Sequence, residues 1–220
     1  MDELRFTMTL ERAIEALKAG RPVLIYDGDH REAEADFVVR ADAVGPGLVR
    51  WLRQNAGGLL CFVTTEEVGR ALGLEFLSEY YRRLGLAALP RYGDEPAFMG
   101  YVNHKKTRTG VRDSDKALTI RELARVVAIA LRDPDGARKT FMDEFYGPGH
   151  VPILGARIGR RWGHTELSTL LARAAGLPPA LAIVEVLGPS VDAMPYGEVE
   201  ELAKSLGVPL LRGEELKALA

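Results

Sequence analysis

Short runs of apolar residues alternate along this chain with segments of helical period, and no Pro/Gly/Ser-rich linker separates them. Residues 23–26, 37–39, 59–63, 98–102, 151–154 and 181–186 read as strands, with another short one at 208–211. Between them, Leu10, Ala13, Ile14 and Leu17 fall at i, i+3, i+4 and i+7 and form one apolar helical stripe. Thr9 is placed to open that helix, and Gly20 followed by Pro22 to close it. Residues 46–56 form a second helix, broken by Gly57-Gly58. Thr64 with Glu67 and Thr119 with Glu122 each match a capping box, the second opening a helix to about residue 131. Thr165 caps a helix carrying Leu167, Leu170, Leu171 and Ala174, and residues 196–220 read helix, strand, helix. Residues 75–97 give no clear element. Interspersed strands and helices of this kind define a layered α/β or α+β fold, one domain over residues 1–220. The strand order is not contained in the pattern.

Composition narrows the function. The chain has 220 residues, 47% apolar and 27% charged, enough for a core without staples. Its formal net charge is −2, which lacks the basic footprint of a nucleic-acid binder. No apolar run approaches the roughly 18 residues of a membrane helix, and the N-terminus, Met1-Asp2-Glu3, does not open like a signal peptide. The single cysteine, Cys61, excludes an internal disulfide and suits a reducing, cytoplasmic setting.

Two segments carry chemistry. In Arg31-Glu32-Ala33-Glu34-Ala35-Asp36 three carboxylates alternate with small residues, and an extended backbone would project them to one face. A hard divalent cation relieves the resulting repulsion, with Arg31 beside them to hold a phosphate or to order the carboxylates; a solvated acidic turn is the other reading. In Arg161-Trp162-Gly163-His164-Thr165-Glu166 a loop becomes a helix, so free N–H groups and the helix dipole meet Arg160, Arg161 and the Thr165 hydroxyl. That is a phosphate cradle with an imidazole beside it, or a basic loop with a surface histidine. Glu185, inside an apolar strand, either faces solvent or serves as an acid or base in a site. Cys61 reads as a small buried residue or as part of such a site.

Taken in order, these segments resemble 3,4-dihydroxy-2-butanone 4-phosphate synthase of riboflavin biosynthesis. The motifs are residues 29–36, Gly58-Leu59-Leu60-Cys61, Thr109 to Ile120, Pro148-Gly149-His150 to Leu154, Arg161 to Glu166, and Ile183-Val184-Glu185-Val186. The resemblance implies a lyase that converts D-ribulose 5-phosphate to 3,4-dihydroxy-2-butanone 4-phosphate and formate. It implies a compact α/β domain with a mixed sheet, and a homodimer with active sites near the subunit interface. Glu32 and His164 would hold the metal, Mg²⁺ or Mn²⁺ or another divalent cation. Arg31 and Asp36 would contact the sugar phosphate, and Arg161, Gly163, Thr165 and Thr109 its phosphate group. Glu34, Cys61, His150 and Glu185 would surround the reacting carbons. The alternative is a non-catalytic sugar-phosphate-binding or regulatory paralogue of the same fold.

The chain departs from the family at Ala33 and Ala35, where Asn and Gly are usual, and the loss of a flexible glycine would stiffen the loop. It also departs at Arg112, where a small hydroxyl residue is usual, and at Asn103, near an acidic position. A second catalytic domain is not expected within 220 residues.

Overall fold

The computed structural model describes residues 2–86, 89–189 and 191–220. Its framework is one seven-stranded sheet, built from β1 (Val23–Tyr26), β2 (Ala35–Arg40), β3 (Cys61–Thr65), β4 (Phe98–His104), β5 (Phe145–Ala156), β6 (Leu181–Glu185) and β7 (Leu210–Arg212). The order is β4-β5-β3-β6-β2-β1-β7. The β5–β3 and β1–β7 pairs are parallel and the others antiparallel, so the sheet is mixed.

Both faces are covered, which explains why the strands read as continuous apolar runs. On β2, Phe37 and Val39 enter one core while Val38 enters the other. The first core receives α2 (Pro46–Asn55), α3 (Glu66–Ala71), α5 (Asp113–Ala130), α6 (Pro134–Glu144) and α8 (Tyr196–Leu206). The second receives α1 (Asp2–Lys18), α7 (His164–Ala174) and α9 (Gly213–Lys217). Another helix, α4 (Leu77–Arg83), lies within the stretch that gave no sequence signal.

Several local expectations are corrected. Helix α1 begins at Asp2, so Thr9 lies inside it; Gly20, at φ 70°, ends it as expected. Thr65, the last residue of β3, rather than Thr64 caps α3, accepting the Val68 N–H. Helix α5 starts at Asp113, and Thr119 is an interior residue whose hydroxyl accepts the His104 N–H at 3.1 Å. Helix α6 was not anticipated, although Asp133 before Pro134 is a cap signal and its carboxylate accepts the Gly136 N–H. Strand β5 extends far upstream of residue 151, through Gly147, Pro148 and Gly149. A Cβ at position 149 would lie 2.0 Å from the Val102 carbonyl carbon, so glycine permits β4 to approach there.

Strand β2 begins at Ala35, so this alanine is buried strand, not flexible loop. Ala33 instead takes a left-handed backbone, φ 55°. That conformation costs a residue with a Cβ about 1 kcal/mol. Ala33→Gly is expected to raise the melting temperature by about 2 °C in thermal denaturation, the loss of left-handed strain exceeding the added unfolded-state entropy. A fall in Tm would contradict it.

Candidate active site

Asp27 directly follows β1 and its side chain is fully buried. Its carboxylate accepts the backbone N–H groups of Glu32 and Glu34, each at 3.1 Å, and Nη1 of Arg31 at 2.9 Å. These bonds curl residues 28–34 into a compact turn. The expected extended alternation therefore fails before Ala35, but the turn delivers the same convergence. Glu32 Oε2 lies 3.4 Å and Asp36 Oδ1 3.5 Å from Nδ1 of His164.

His164 opens α7 and is buried. Its Nε2 is 3.1 Å from the Glu34 carbonyl. A carbonyl only accepts, so Nε2 carries a hydrogen and Nδ1 is the nitrogen that faces the two carboxylates. Burial lowers the His164 pKa, but Asp36 and Glu32 outweigh it and push the pKa up to about 9. Burial raises Glu32, yet the bond from His164 and the charge of Arg31 bring it down to about 2. Burial, with Glu185, Glu32 and Glu34 nearby, drives Asp36 well above the usual carboxylate range despite His164. Burial and the charges of Glu32 and Glu185 also raise Glu34.

This donor set fits a hard cation. Two cis ligands of an octahedral Mg²⁺ at about 2.1 Å lie about 3 Å apart, close to the Glu32–His164 separation. Asp36 Oδ1 is buried without a hydrogen-bond donor. Asp27, although within reach of Glu32 and His164, spends its oxygens on the turn. A second group, His104, Glu122 and Glu144, is bridged by Arg125 and resembles a structural ion-pair network.

Beside the acids stands a cationic cleft. Arg31 gives Nη1 to Asp27 and Glu32 and Nε to Asp94 at 2.9 Å, which leaves Nη2 buried and without an acceptor. Glu166, fully buried, accepts Gly163 N–H at 3.0 Å and Arg161 Nη1 at 2.6 Å, so Gly163 rather than Thr165 holds the cap position of α7. Arg161 Nε is likewise buried without an acceptor. A Cβ at position 163 would lie 2.5 Å from Arg31 Nη2 and 2.7 Å from Arg161 Nη1. Glycine thus lets two guanidinium groups meet at a helix N-terminus, a setting for an anion. Thr165 is buried in the first turn.

The tyrosine and acid of residues 92–94 complete this corner and escaped the sequence reading. Tyr92 lies under the Arg31 guanidinium, 4.6 Å from ring centroid to Cζ, and its hydroxyl bonds Glu32. Burial and that bond hold the phenol up to about 12.

Glu185 pairs opposite Asp36 across β6 and β2, on the face that packs α7. Its carboxylate accepts the Leu59 N–H at 2.6 Å, an approach that Gly58 allows, since a Cβ there would lie 2.4 Å from Oε2. Cys61 is buried in the same face's core and its thiol donates to the Leu59 carbonyl at 3.3 Å. Burial, then Glu185 and Asp36, raise the thiol well above its ordinary value, so it is a neutral thiol and no thiolate nucleophile.

His150 and Thr109 do not join this centre within one chain. Strand β5, which carries His150, is three inter-strand spacings from β2, about 14 Å. Thr109 precedes α5, on the opposite face of the sheet from α7, and its hydroxyl donates to Asp115. Asp115 also accepts the N–H groups of residues 108–110 and so shapes the Thr109-Gly110 turn. Arg112 is exposed at the cap position of α5.

Solved structures with this sheet arrangement include a two-domain 3,4-dihydroxy-2-butanone 4-phosphate synthase from A. baumannii, at TM-score 0.75 and 24% identity. That match covers 94% of this chain and 56% of the other. A 3,4-dihydroxy-2-butanone 4-phosphate synthase in complex with two magnesium ions matches at TM-score 0.72 and 26% identity, over 95% of this chain and 94% of that one. The synthase of Methanosarcina mazei is 37% identical, over 94% of this chain and 89% of its own length. The family model for 3,4-dihydroxy-2-butanone 4-phosphate synthase matches residues 11–219. The chain belongs to the 3,4-dihydroxy-2-butanone 4-phosphate synthase family, and with it to the carbon–carbon lyases of riboflavin biosynthesis. Among the described residues no helix is long and apolar enough to cross a membrane.

Proposed function

We propose that this chain, acting as one domain in the cytoplasm, splits D-ribulose 5-phosphate into 3,4-dihydroxy-2-butanone 4-phosphate and formate. The observation that carries the reading is the meeting of Glu32, Asp36 and His164 Nδ1 beside the two guanidinium groups at Gly163. Glu32 and His164 would hold the divalent cation, Mg²⁺ or Mn²⁺, which when bound supplies charge to polarise a carbonyl and stabilise an enediolate. Arg31, Arg161, Gly163 and Thr165 bind the phosphate, and that binding energy positions the reacting carbons. Asp36 contacts the sugar. Glu34 and Glu185 take and return protons at neighbouring carbons; burial, with the charges of Glu32 and Glu185, raises Glu34 and so favours its holding a proton. Cys61, a neutral thiol near Glu185 and Asp36, forms part of the wall beside the reacting carbons.

A homodimer completes the site. Thr109 and His150 stand apart from the acidic centre in one chain, and a second copy would supply them. The apolar groove of about 310 Å³ at the β4 edge, lined by Leu77, Tyr81, Leu86, Leu89, Phe98 and Tyr101, supports docking of that copy along this edge.

Purified protein with Mg²⁺ is expected to release formate from ribulose 5-phosphate, in step with substrate loss, and to lose the activity with a chelator. Substrate binding without formate above background would leave the non-catalytic sugar-phosphate binder as the reading.

A further inference from the structure

Asn103 is buried on β4, next to the one exposed histidine of the proposed site. Its Oδ1 accepts the backbone N–H of His150 at 2.8 Å. That bond fixes which end of the amide is which, because the nitrogen end cannot accept from an N–H. Nδ2 is then 2.9 Å from the Tyr146 hydroxyl and 3.1 Å from Nδ1 of His150. Both amide hydrogens are thus directed, one to each neighbour, and Asn103 clasps His150 by its main chain and its ring at once. The room for the amide is built in. A Cβ at Gly110 would lie 2.2 to 2.4 Å from the Asn103 amide atoms; one at Gly149 would lie 2.3 Å from the Asn103 backbone nitrogen, so glycine there lets the His150 main chain come close to Asn103.

A donor facing Nδ1 requires a lone pair there. We propose that Asn103 is a positioning residue that sets His150 in the neutral tautomer with hydrogen on Nε2. A hydrogen on Nδ1 would face the amide NH₂, donor against donor, and the amide cannot turn over without leaving the His150 main chain facing that NH₂. His150 therefore offers substrate a fixed hydrogen-bond donor. Such a group steadies a developing oxyanion without changing its own protonation, while the carboxylates Glu34 and Glu185 carry the protons. The catalytic part of this inference rests on the placement of His150 in the proposed site; the tautomer rests on the clasp alone.

Two-bond ¹H–¹⁵N correlation spectra of histidine-labelled protein test it, with the His150 ring assigned by its loss in His150→Gln. The expected wild-type signature is a pyrrole-type Nε2 and a pyridine-type Nδ1. Asn103→Asp, of nearly the same shape, is expected to move hydrogen to Nδ1, now facing a carboxylate, and to lower kcat at least about tenfold with KM nearly unchanged. Asn103→Ala is expected to give a mixture of tautomers; if it fails to fold, the aspartate variant still decides. A wild-type ring with hydrogen on Nδ1, or a tautomer unchanged in both variants, would overturn the proposal. An unchanged kcat in Asn103→Asp despite an inverted tautomer would overturn its catalytic part. Absence of formate release by the wild type would count against the proposed function and leave the spectroscopic result standing.

Discussion

His164→Ala is expected to abolish divalent-cation binding and formate release together, and to lower stability. Loss of a group that merely orients a metal ligand costs roughly 10- to 100-fold in affinity or activity. Loss of the imidazole ligand itself is expected to exceed about 100-fold, measured by Mn²⁺ binding and by turnover at saturating Mg²⁺. The stability effect has a separate cause. Removing the imidazole leaves Asp36 buried beside Glu32, Glu34 and Glu185. Stranding a buried charge costs about 3–5 kcal/mol, but a carboxyl that takes up a proton avoids much of that. A fall in Tm of no more than about 10 °C follows. Glu32→Gln separates the two effects, because His164 keeps Asp36 as partner. It is expected to lose the metal while melting close to the wild type. Normal activity in either variant would refute the metal assignment. Proton and metal also compete for Nδ1. With a pKa of about 9 in the metal-free chain, His164 is protonated at neutral pH. Cation uptake is then expected to release a proton and to strengthen as pH rises toward 9, which a weakly buffered titration would record.

What the sequence revealed depended on how local each contact is. The turn before α7 was legible because Arg161, Gly163, His164 and Thr165 are neighbours in the chain. The acidic loop was legible as a cluster, but its geometry was not. Convergence comes from Asp27 drawing in two N–H groups and from the left-handed Ala33, not from strand alternation. Tyr92 and Asp94 were invisible because they reach Arg31 from about sixty residues away, through a stretch without periodicity. The layered fold was readable because apolar runs buried on both faces leave a plain signal. Sheet order, the upstream half of β5 and the start of α5 were not. Glycine and proline at 147–149 read as a turn; they form the irregular step in the β4–β5 ladder, where the partner shifts from Val151 to Tyr146 and Gly149 lies close against Val102. The capping box at Thr119 was a coincidence of local pattern, and a tertiary contact to β4 took its hydroxyl.

Gly163→Ala is expected to raise KM for ribulose 5-phosphate more than tenfold while the fold and cation binding persist. The added methyl would meet Arg31 Nη2 at 2.5 Å and Arg161 Nη1 at 2.7 Å, separations that real Cβ atoms do not tolerate. The backbone at Gly163 is extended, φ −90°, so alanine brings no backbone strain and the whole cost falls on the two guanidiniums. Neither has an easy retreat. Arg31 is held by Asp27, Glu32 and Asp94 and lies over Tyr92. Arg161 is buried and held by Glu166. If both shift, the anion loses paired donors worth about 1.5–3 kcal/mol each, and 1.4 kcal/mol is tenfold in affinity. The methyl's nearest contacts are with Arg31 and Arg161, so Mn²⁺ binding is expected to fall far less than phosphate binding. Inorganic phosphate, as a competitive inhibitor, should weaken in parallel with substrate. A variant that keeps its KM and its phosphate inhibition would place the phosphate elsewhere. One that loses Mn²⁺ binding as well would show that the anion and cation halves of the site cannot be disturbed separately.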